Sequence, residues 1–166
     1  DTGFVYAHPS PYQENVLINK AINVIGENLN TEIISNYTTA VITILHDDVK
    51  ISTFQFPFSY VPTKIMAENC KNVNISNCII SGNGDGIGLM GVDNSSVYHN
   101  YFEGCHYSFW VSKSNRNDIL KNKITSDFEG GINIIDNSSD NHVHNNDFNM
   151  TGILAGGFEI SNSGSG

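Results

Sequence analysis

A short pattern of apolar and polar positions recurs through the second half of the chain. In each copy, an apolar residue is followed three positions later by Asn or Cys, and another apolar residue comes two positions after that. The polar position is occupied in turn by Cys78, Asn100, Asn122 and Asn146, so successive copies lie 22, 22 and 24 residues apart. This period indicates a repeat architecture. Ile51, Phe54 and Phe56 fit the same pattern one copy earlier.

A second apolar pair follows each copy, and its two apolar residues are separated by one small or polar residue. The pairs are Ile87/Leu89, Phe109/Val111, Ile132/Ile134 and Phe158/Ile160. This alternation places both apolar side chains on one face of a short strand. Corners rich in Asn, Asp and Ser come after each pair and are typical of turns. We therefore predict a unit of strand, turn, strand and turn.

One such unit has too few apolar residues to form a core alone, so stacked units must share one. Stacking places equivalent residues about 4.8 Å apart, the spacing of paired strands. The pattern predicts an all-β parallel β-helix of about six to seven coils, each of roughly 22 to 24 residues. We assign 1–163 to a single domain, with irregular coils over 1–60, regular coils over 61–163, and a Gly/Ser tail over 164–166.

The repeated polar residues are predicted to form a structural ladder inside the coil, made of Cys78, Asn100, Asn122 and Asn146. Each Asn side chain would point inward at a bend and bond the backbone and the neighbouring coils. A ladder satisfies the hydrogen bonds of each buried amide, which makes Asn acceptable in this core. We interpret Cys78 as a buried thiol that fills the same position rather than as a metal ligand.

Composition and charge narrow the possible partners. The 166 residues carry a net charge of −9 with only eight Lys and Arg, and they contain no basic cluster, which argues against nucleic acid. No run of eighteen apolar residues occurs, so we predict no membrane span. Three cysteines allow at most one internal disulfide, and their spacing fits no zinc motif.

Two histidines are the candidate metal ligands. His142 and His144 flank the inward-facing Val143, so both should point outward on one strand face, about 7 Å apart at the backbone. Two imidazoles at this spacing can share a divalent ion, although a polar surface is the alternative interpretation. His99 and His106 are not expected to stack in register with them. We predict that the protein has no cofactor, and the alternative is a bound copper or calcium ion.

Outward-facing aromatic residues are the candidates for carbohydrate binding or for an interface. They are Tyr98, Tyr101, Tyr107 and Trp110. A sugar ring can lie on such aromatic faces. Five Asn-x-Ser/Thr sequons are candidate N-glycosylation sites: Asn36, Asn74, Asn94, Asn137 and Asn149.

Catalytic residues are not evident. Arg116 is the only arginine and lies in a polar corner. The carboxylates that could pair are Asp47 with Asp48, Asp127 with Glu129, and Asp136 with Asp140, all on predicted loops. A glycoside-cleaving site needs an acid and a base in matched positions, and the pattern provides neither.

The start of the chain carries a more specific pattern, Tyr12-x-Glu14-Asn15-Val16-x-Ile18-x-Lys20 followed by Ile22-x-Val24-Ile25-Gly26-Glu27-Asn28. This segment resembles the opening of the NosD-type family of right-handed β-helix proteins, and less closely the pectate lyase and pectin methylesterase superfamily. The resemblance implies a right-handed, single-stranded coil. It implies several activities, from periplasmic copper accessory proteins to polysaccharide-active enzymes and cell-envelope proteins, because its motifs build coils rather than sites.

The sequence therefore favours a non-enzymatic structural or assembly module that is extracellular, on the cell surface or periplasmic. Strand edges at the ends of a β-helix pair with other chains unless they are covered, so we predict partners that are further copies or other β-helix segments. The alternatives are a protein that binds or cleaves a polysaccharide, and then a periplasmic copper-binding accessory protein.

Overall fold

The computed structural model describes residues 2–35, 39–126, 130–150 and 156–161. These residues form three parallel sheets of seven strands each, and the described ranges contain no helix. Successive turns of the chain add one strand to each sheet, and every pairing is parallel. The predicted all-β parallel β-helix is confirmed.

Sheet A contains β1 (Gly3–Ala7), β4 (Ile22–Gly26), β7 (Lys50–Ser52), β10 (Asn74–Ser76), β13 (Ser96–Tyr98), β16 (Asp118–Leu120) and β19 (His142–His144). Sheet B contains β2 (Pro11–Gln13), β5 (Glu32–Ile34), β8 (Gln55–Phe56), β11 (Ile79–Ser81), β14 (Tyr101–Glu103), β17 (Lys123–Ser126) and β20 (Asp147–Met150). Sheet C contains β3 (Val16–Ile18), β6 (Ile42–Ile44), β9 (Thr63–Glu68), β12 (Asp85–Met90), β15 (Tyr107–Ser112), β18 (Gly130–Ile135) and β21 (Gly156–Ser161).

Each turn has three strands, whereas we predicted two. The repeated Asn pattern is not one strand, because it spans the end of a sheet A strand, a bend and the start of a sheet B strand. The residue before the Asn position adopts a left-handed conformation, as in His99 with a φ of 56°. Asn77 and Asn145 occupy the equivalent position in other turns with φ values of 54° and 56°. This conformation redirects the chain sharply enough to start a new strand.

The turns before residue 60 stack in the same three sheets. Ile51 pairs in register with Ile75, and Phe56 pairs in register with Ile80. Both pairings agree with the assignment of Ile51, Phe54 and Phe56 to one copy of the repeat. These early turns differ in length, however. Val5 pairs with Val24, whereas Val24 pairs with the more distant Ile51.

The interior is a continuous column of aliphatic and aromatic side chains. Ile51, Ile75 and Ile119 are fully buried in consecutive or near-consecutive turns of sheet A. Phe102 and Phe109 fill the space between sheets B and C, with ring centroids 4.7 Å apart. Burying each such side chain contributes roughly 1.5 to 3 kcal/mol. Shared burial across turns explains why no turn could be stable alone.

Side-chain amides connect consecutive turns at the bend between sheets A and B. Asn100 Oδ1 accepts the backbone N–H of Cys78 at 2.9 Å, and Asn122 Oδ1 accepts that of Asn100 at 3.0 Å. Asn146 Oδ1 accepts the N–H of Asn122 at 2.9 Å. Asn122 Nδ2 also donates to the carbonyl of Val97 at 3.0 Å. The thiol of Cys78 is buried and donates to the carbonyl of Ser76 at 3.3 Å.

A second ladder lies at the bend between sheets C and A, and the sequence analysis missed it. Ser95 Oγ accepts the N–H of Val73, and Asn117 Oδ1 accepts that of Ser95, both at 2.9 Å. Asn141 Oδ1 accepts the N–H of Asn117 at 3.0 Å. Its members lie in or a few residues after the corners that the sequence predicts to be turns.

No helix that is long and apolar enough to cross a membrane occurs in the described ranges.

Candidate functional site

The outward side chains of sheet A form two straight columns, because the strands pair in register. One column runs through Phe4, Asn23, Lys50, Asn74, Ser96, Asp118 and His142. The other runs through Tyr6, Ile25, Ser52, Ser76, Tyr98, Leu120 and His144. Neighbouring positions in a column are about 4.8 Å apart. Sheet A therefore presents a regular outer surface that runs the length of the stack.

The first five strands of this surface enclose a groove of about 260 Å³. Its lining residues are Phe4, Asn23, Ile25, Lys50, Ile51, Ser52, Asn74, Ser76 and Tyr98. They provide aromatic rings, amides, hydroxyls and one ammonium group, and none of them is acidic. We call this feature the sheet A groove.

Asn23 lies on the floor of the sheet A groove. Only 7% of its surface is exposed, and its side-chain Oδ1 has no hydrogen-bond partner. A buried acceptor without a partner costs about 1 to 3 kcal/mol. Its neighbours in the column are Phe4 and Lys50. The groove floor thus contains a buried acceptor that the protein leaves unsatisfied.

Aromatic rings flank the groove at both ends. Phe4 and Tyr6 are 61% and 66% exposed, and their rings stack with centroids 6.2 Å apart and planes 8° apart. Tyr98 at the other end is half-buried and contacts the ring of His99 edge-on, at 5.3 Å. Flat apolar faces of this kind bind the apolar faces of sugar rings.

A larger cleft of about 470 Å³ lies where sheet B leads into sheet C. Its polar residues include Tyr60, Asn83, Asp85 and His106, and His106 Nδ1 lies 3.4 Å from Asp85 Oδ1. Asp85 also accepts the backbone N–H of Tyr107 at 3.3 Å. Asp85 and His106 are therefore engaged with each other or with the backbone, in contrast to Asn23. For this reason the smaller groove is the better candidate.

A third cleft, of about 370 Å³, lies along the turns between sheets C and A. Its charged groups are also paired, since Lys71 Nζ lies 3.8 Å from Asp47 Oδ2. Arg116, the only arginine, is exposed and contacts Asp93 at 3.2 Å. These contacts form part of the surface of the turns.

The four aromatic residues singled out from the sequence do not share one surface. Tyr98 lies on sheet A, Tyr101 lies on sheet B, and Tyr107 and Trp110 lie on sheet C. Lys123 Nζ covers the ring of Tyr101 at 5.5 Å from its centroid. Only Tyr98 is part of the sheet A groove, because the bend at His99 turns the chain between Tyr98 and Tyr101.

His142 and His144 both lie on the outer face of sheet A and are exposed, with Val143 between them packed against the core. His142 Nδ1 is 3.2 Å from Asp118 Oδ1. The described residues contain no group of three or more His, Cys, Asp or Glu side chains that could hold a metal ion.

Thiolate ligands are also disfavoured. Cys70, Cys78 and Cys105 are free and buried. Burial raises the pKa of Cys78 and Cys105 to about 12, and that of Cys70 to about 11. Thiols with such pKa values stay protonated near neutral pH, whereas a metal binds the thiolate. The donor set of the described residues therefore does not fit a closed copper site.

The candidate glycosylation sites differ in their surroundings. Asn94, Asn137 and Asn149 are exposed. Asn94 Oδ1 accepts a hydrogen bond from Nε–H of Arg116 at 3.0 Å. Asn74 is half-buried and lines the sheet A groove. Asn36 lies outside the described residues, as do Asp127 and Glu129.

A buried lysine was not anticipated from the sequence. Lys64 at the start of β9 is fully buried, and its Nζ donates to the carbonyl and to Oγ of Ser59, both at 2.8 Å. Burial lowers its pKa to about 8, partly offset by the nearby Cys105. Gly82 makes room for the ammonium group, because a Cβ there would lie 2.9 Å from Nζ. A lysine among alternating residues gives no sequence signal that it points inward.

Comparison with families of known proteins gives a match to the family described as periplasmic copper-binding protein (NosD), over residues 12–153. Comparisons with curated proteins and with solved structures give no significant match. The match covers most of the chain and includes the sheet A groove from β4 onward. The described side chains do not support the copper binding that the family's description names. On the evidence of the stacked turns and of this match, the chain belongs to the NosD family.

Proposed function

We propose that this protein is a non-enzymatic binding module, located in the periplasm, that holds a saccharide chain along the outer face of sheet A. The periplasmic location follows from the description of the family to which the chain belongs. The observation that carries the proposal is the sheet A groove itself, whose lining combines aromatic rings with amides and hydroxyls.

The groove suits a saccharide because it combines two kinds of contact. Rings such as those of Phe4 and Tyr98 provide flat apolar surfaces, and the amides and hydroxyls between them can exchange hydrogen bonds with sugar hydroxyls. Binding sites commonly pair an apolar lining with a few placed polar groups. Sugars present apolar ring faces and hydroxyl edges, which match this lining.

The length of the groove indicates an extended ligand. Tyr6 and Tyr98 belong to the same column and are separated by four strand-to-strand steps. At the spacing of paired strands, this separation is about 19 Å. A surface of this length accommodates several consecutive sugar rings rather than one.

The lining also supports binding rather than turnover. Hydrolysis of a glycosidic bond requires a carboxylic acid and a carboxylate on opposite sides of the bond. The lining residues of the sheet A groove include no Asp, Glu or His. The groove lining therefore offers no pair of carboxyl groups for hydrolysis of a glycosidic bond.

Affinity gel electrophoresis tests the proposal with defined polymers: hydroxyethyl cellulose, carboxymethyl cellulose, dextran and polygalacturonate. We expect at least one of them to retard the protein, and we expect Tyr6→Ala with Tyr98→Ala to remove the retardation. Tyr101→Ala is the matched control, because Tyr101 lies on sheet B, and it should leave retardation unchanged. Migration that none of the four polymers alters would contradict the proposal.

Self-association is a second candidate, and an exposed apolar surface on the first turn supports it. Val5 occupies an inward-facing position in register with Val24, yet it is 45% exposed. Phe4, Tyr6 and Leu17 are exposed on the same turn. Exposed apolar surfaces of this kind favour association with another β-helix segment. Light scattering on the wild type and on Val5→Glu tests self-association. We expect the wild type to associate and Val5→Glu to associate less. A wild type that stays monomeric at millimolar concentration would contradict self-association.

A further inference from the structure

We propose that Asn83 is a site of spontaneous deamidation, which converts its side-chain amide into a carboxylate at the rim of the larger cleft. Asn83 is the only asparagine of the chain that is followed by glycine. It is exposed, and together with Gly84 it lines the larger cleft. This modification is independent of the saccharide binding proposed for the sheet A groove.

The reaction needs no partner other than water. The backbone nitrogen of Gly84 attacks Cγ of Asn83, so that a bond forms between these two atoms and the bond from Cγ to Nδ2 breaks. The leaving amide nitrogen takes the proton of the Gly84 N–H and departs as ammonia. Water then opens the cyclic imide at one of its two carbonyls. One opening gives aspartate, and the other gives isoaspartate, in which the backbone runs through the former side chain.

Gly84 is suited to be the attacking residue. Glycine has no Cβ, so a neighbouring side chain can approach its backbone closely. The carbonyl of Gly84 accepts the N–H of His106 at 3.1 Å, whereas the N–H of Gly84 makes no hydrogen bond to any described residue. The attacking nitrogen is therefore not held by a hydrogen bond that the reaction would have to break.

The side chain of Asn83 is also unrestrained. It makes no hydrogen bond within the part of the chain that the structure describes. An exposed side chain without partners changes rotamer rapidly. Asn83 can therefore reach the geometry of attack without local unfolding, and solvent at the cleft supplies the water for the second step.

The glycine at position 84 is fixed by the packing of the turn. A Cβ at Gly84 would collide with the carbonyl oxygen of Val61 in the neighbouring turn. Any other residue would force the two turns apart. The fold thus requires the neighbour that makes Asn83 labile.

Asn94 shows how the fold protects another asparagine, one that precedes a serine. Asn94 Oδ1 accepts a hydrogen bond from Nε–H of Arg116 at 3.0 Å. The N–H of Ser95, which would have to attack, donates to Asn117 Oδ1 at 2.9 Å. Both reacting groups are held, so this site must open locally before it can react.

Asp85 and Gly86 provide a second contrast in the same segment. An aspartate followed by glycine can form the same cyclic imide, with loss of water. Gly86 lies inside β12, however, and Asp85 Oδ1 accepts the N–H of Tyr107 at 3.3 Å. We therefore expect Asp85 to be stable where Asn83 is not.

Both products change the rim of the larger cleft. Each adds a carboxylate two residues before Asp85, on a chain whose net charge is already −9. Isoaspartate also lengthens the backbone just before β12, where the N–H of Asp85 donates to the carbonyl of Pro62 at 2.8 Å. The cleft of an aged protein therefore differs in charge and in shape from that of a new one.

Peptide mapping by mass spectrometry tests the proposal on the folded protein and on the protein in urea, after incubation in warm, mildly alkaline buffer. Such buffer favours the reaction because attack requires loss of the Gly84 proton. In urea, both Asn83 and Asn94 should deamidate. Folding should slow the reaction at Asn94 by at least about tenfold, since its amide must first be released, and should leave the rate at Asn83 nearly unchanged.

Asn83→Gln is the matched variant, because it keeps an exposed amide and would have to close a larger, less favourable ring. It should remove most of the deamidation of the folded protein and leave Asn94 as it is in the wild type. Asn83 that stays intact in the folded protein, while it deamidates in urea, would overturn the proposal. Equal slowing of Asn83 and Asn94 on folding would overturn it as well.

Discussion

The turns from Cys78 onward and the turns before it build the same three sheets in different ways. In the later turns, amides such as those of Asn100 and Asn122 bond the backbone of the neighbouring turn. At the equivalent position the earlier turns have Ser10, Thr31 and Phe54, none of which carries a side-chain amide. The backbone bonds that their carbonyls accept occur in the later turns as well, as between the N–H of Tyr101 and the carbonyl of Cys78 at 2.9 Å. The hydroxyl of Thr31 is buried there without a hydrogen-bond partner.

This difference explains where the regular part of the stack lies. An amide that must bond equivalent atoms in consecutive turns fixes the register, and the ladder bonds span 22 or 24 residues. The earlier turns lack this constraint and vary in length, as the unequal spacing of Val5, Val24 and Ile51 shows. The sheet A groove begins in these earlier turns. Under the proposed function, the earlier turns supply most of the groove lining, and the later turns supply the regular ladder.

The largest expected effect is the loss of one ladder amide. Asn122→Ala would leave the backbone N–H of Asn100 and the carbonyl of Val97 without their side-chain partner. Each such buried group costs about 1 to 3 kcal/mol, so we expect the free energy of unfolding to fall by about 3 kcal/mol or more. Urea denaturation followed by circular dichroism measures this change.

Thr31→Val is the matched control from the earlier turns. It removes a buried hydroxyl that has no partner, and it keeps the shape of the side chain. We expect no loss of stability and a gain of up to about 1 kcal/mol. Similar losses for both variants would show that the two halves of the solenoid do not differ in the way described above.

A smaller effect is expected from the buried Lys64, and it depends on pH. The pKa of Lys64 falls from 10.5 to about 8 on folding because burial disfavours the charged form. Between these values the unfolded chain holds a proton that the folded chain has released, so this residue makes stability rise with pH. Below pH 8 the penalty for burying the charge is present in full.

The variant Lys64→Met isolates this contribution. The three cysteines act in the opposite direction above pH 9, because burial raises their pKa values and stability falls as the unfolded thiols ionise. Both proteins share the loss from Cys70 and Cys78, and burial remains the main cause of the raised pKa of Cys105 in each. The stability of the wild type relative to the variant should therefore rise by about 2 kcal/mol between pH 8 and pH 10. A difference that stays constant with pH would contradict the burial of a titrating amine.

The smallest effect is expected at the histidine pair on the last described strand of sheet A. Two imidazoles and no third ligand in the described residues favour only weak copper binding. Isothermal titration with Cu(II) and Zn(II) should show His142→Ala/His144→Ala lowering affinity by less than about tenfold, since no closed site is lost. Tight binding of one Cu(II) that the double variant abolishes would show instead that the pair belongs to a complete site.

Much of the fold could be predicted because its determinants repeat in the sequence. The spacing of Cys78, Asn100 and Asn122 gives the period directly, and the apolar positions beside them give the core. The third strand of each turn was missed because a single left-handed residue such as His99 redirects the chain without any break in the pattern. Single-sequence periodicity cannot distinguish a bent strand from two short strands when both place apolar residues inward.

The candidate site was harder to predict, since it depends on which outward residues share a sheet. Tyr98 and Tyr101 are close in sequence but lie on different sheets, whereas Tyr6 and Tyr98 are distant in sequence and lie in one column. The unequal lengths of the early turns hid this register. Asn23 gave no signal either, because its lack of a partner is a property of three-dimensional packing.

The central claim is that the earlier turns of sheet A bind a ligand, and one NMR titration tests it most directly. Carboxymethyl-cellulose oligomers are added to the ¹⁵N-labelled protein while the backbone and side-chain amide signals are followed. We predict the largest shifts for the side-chain amide of Asn23 and for backbone amides of β1, β4, β7 and β10, with β19 unchanged. Shifts centred on Asp85 and His106 in the larger cleft, or no shifts at any residue, would contradict the account.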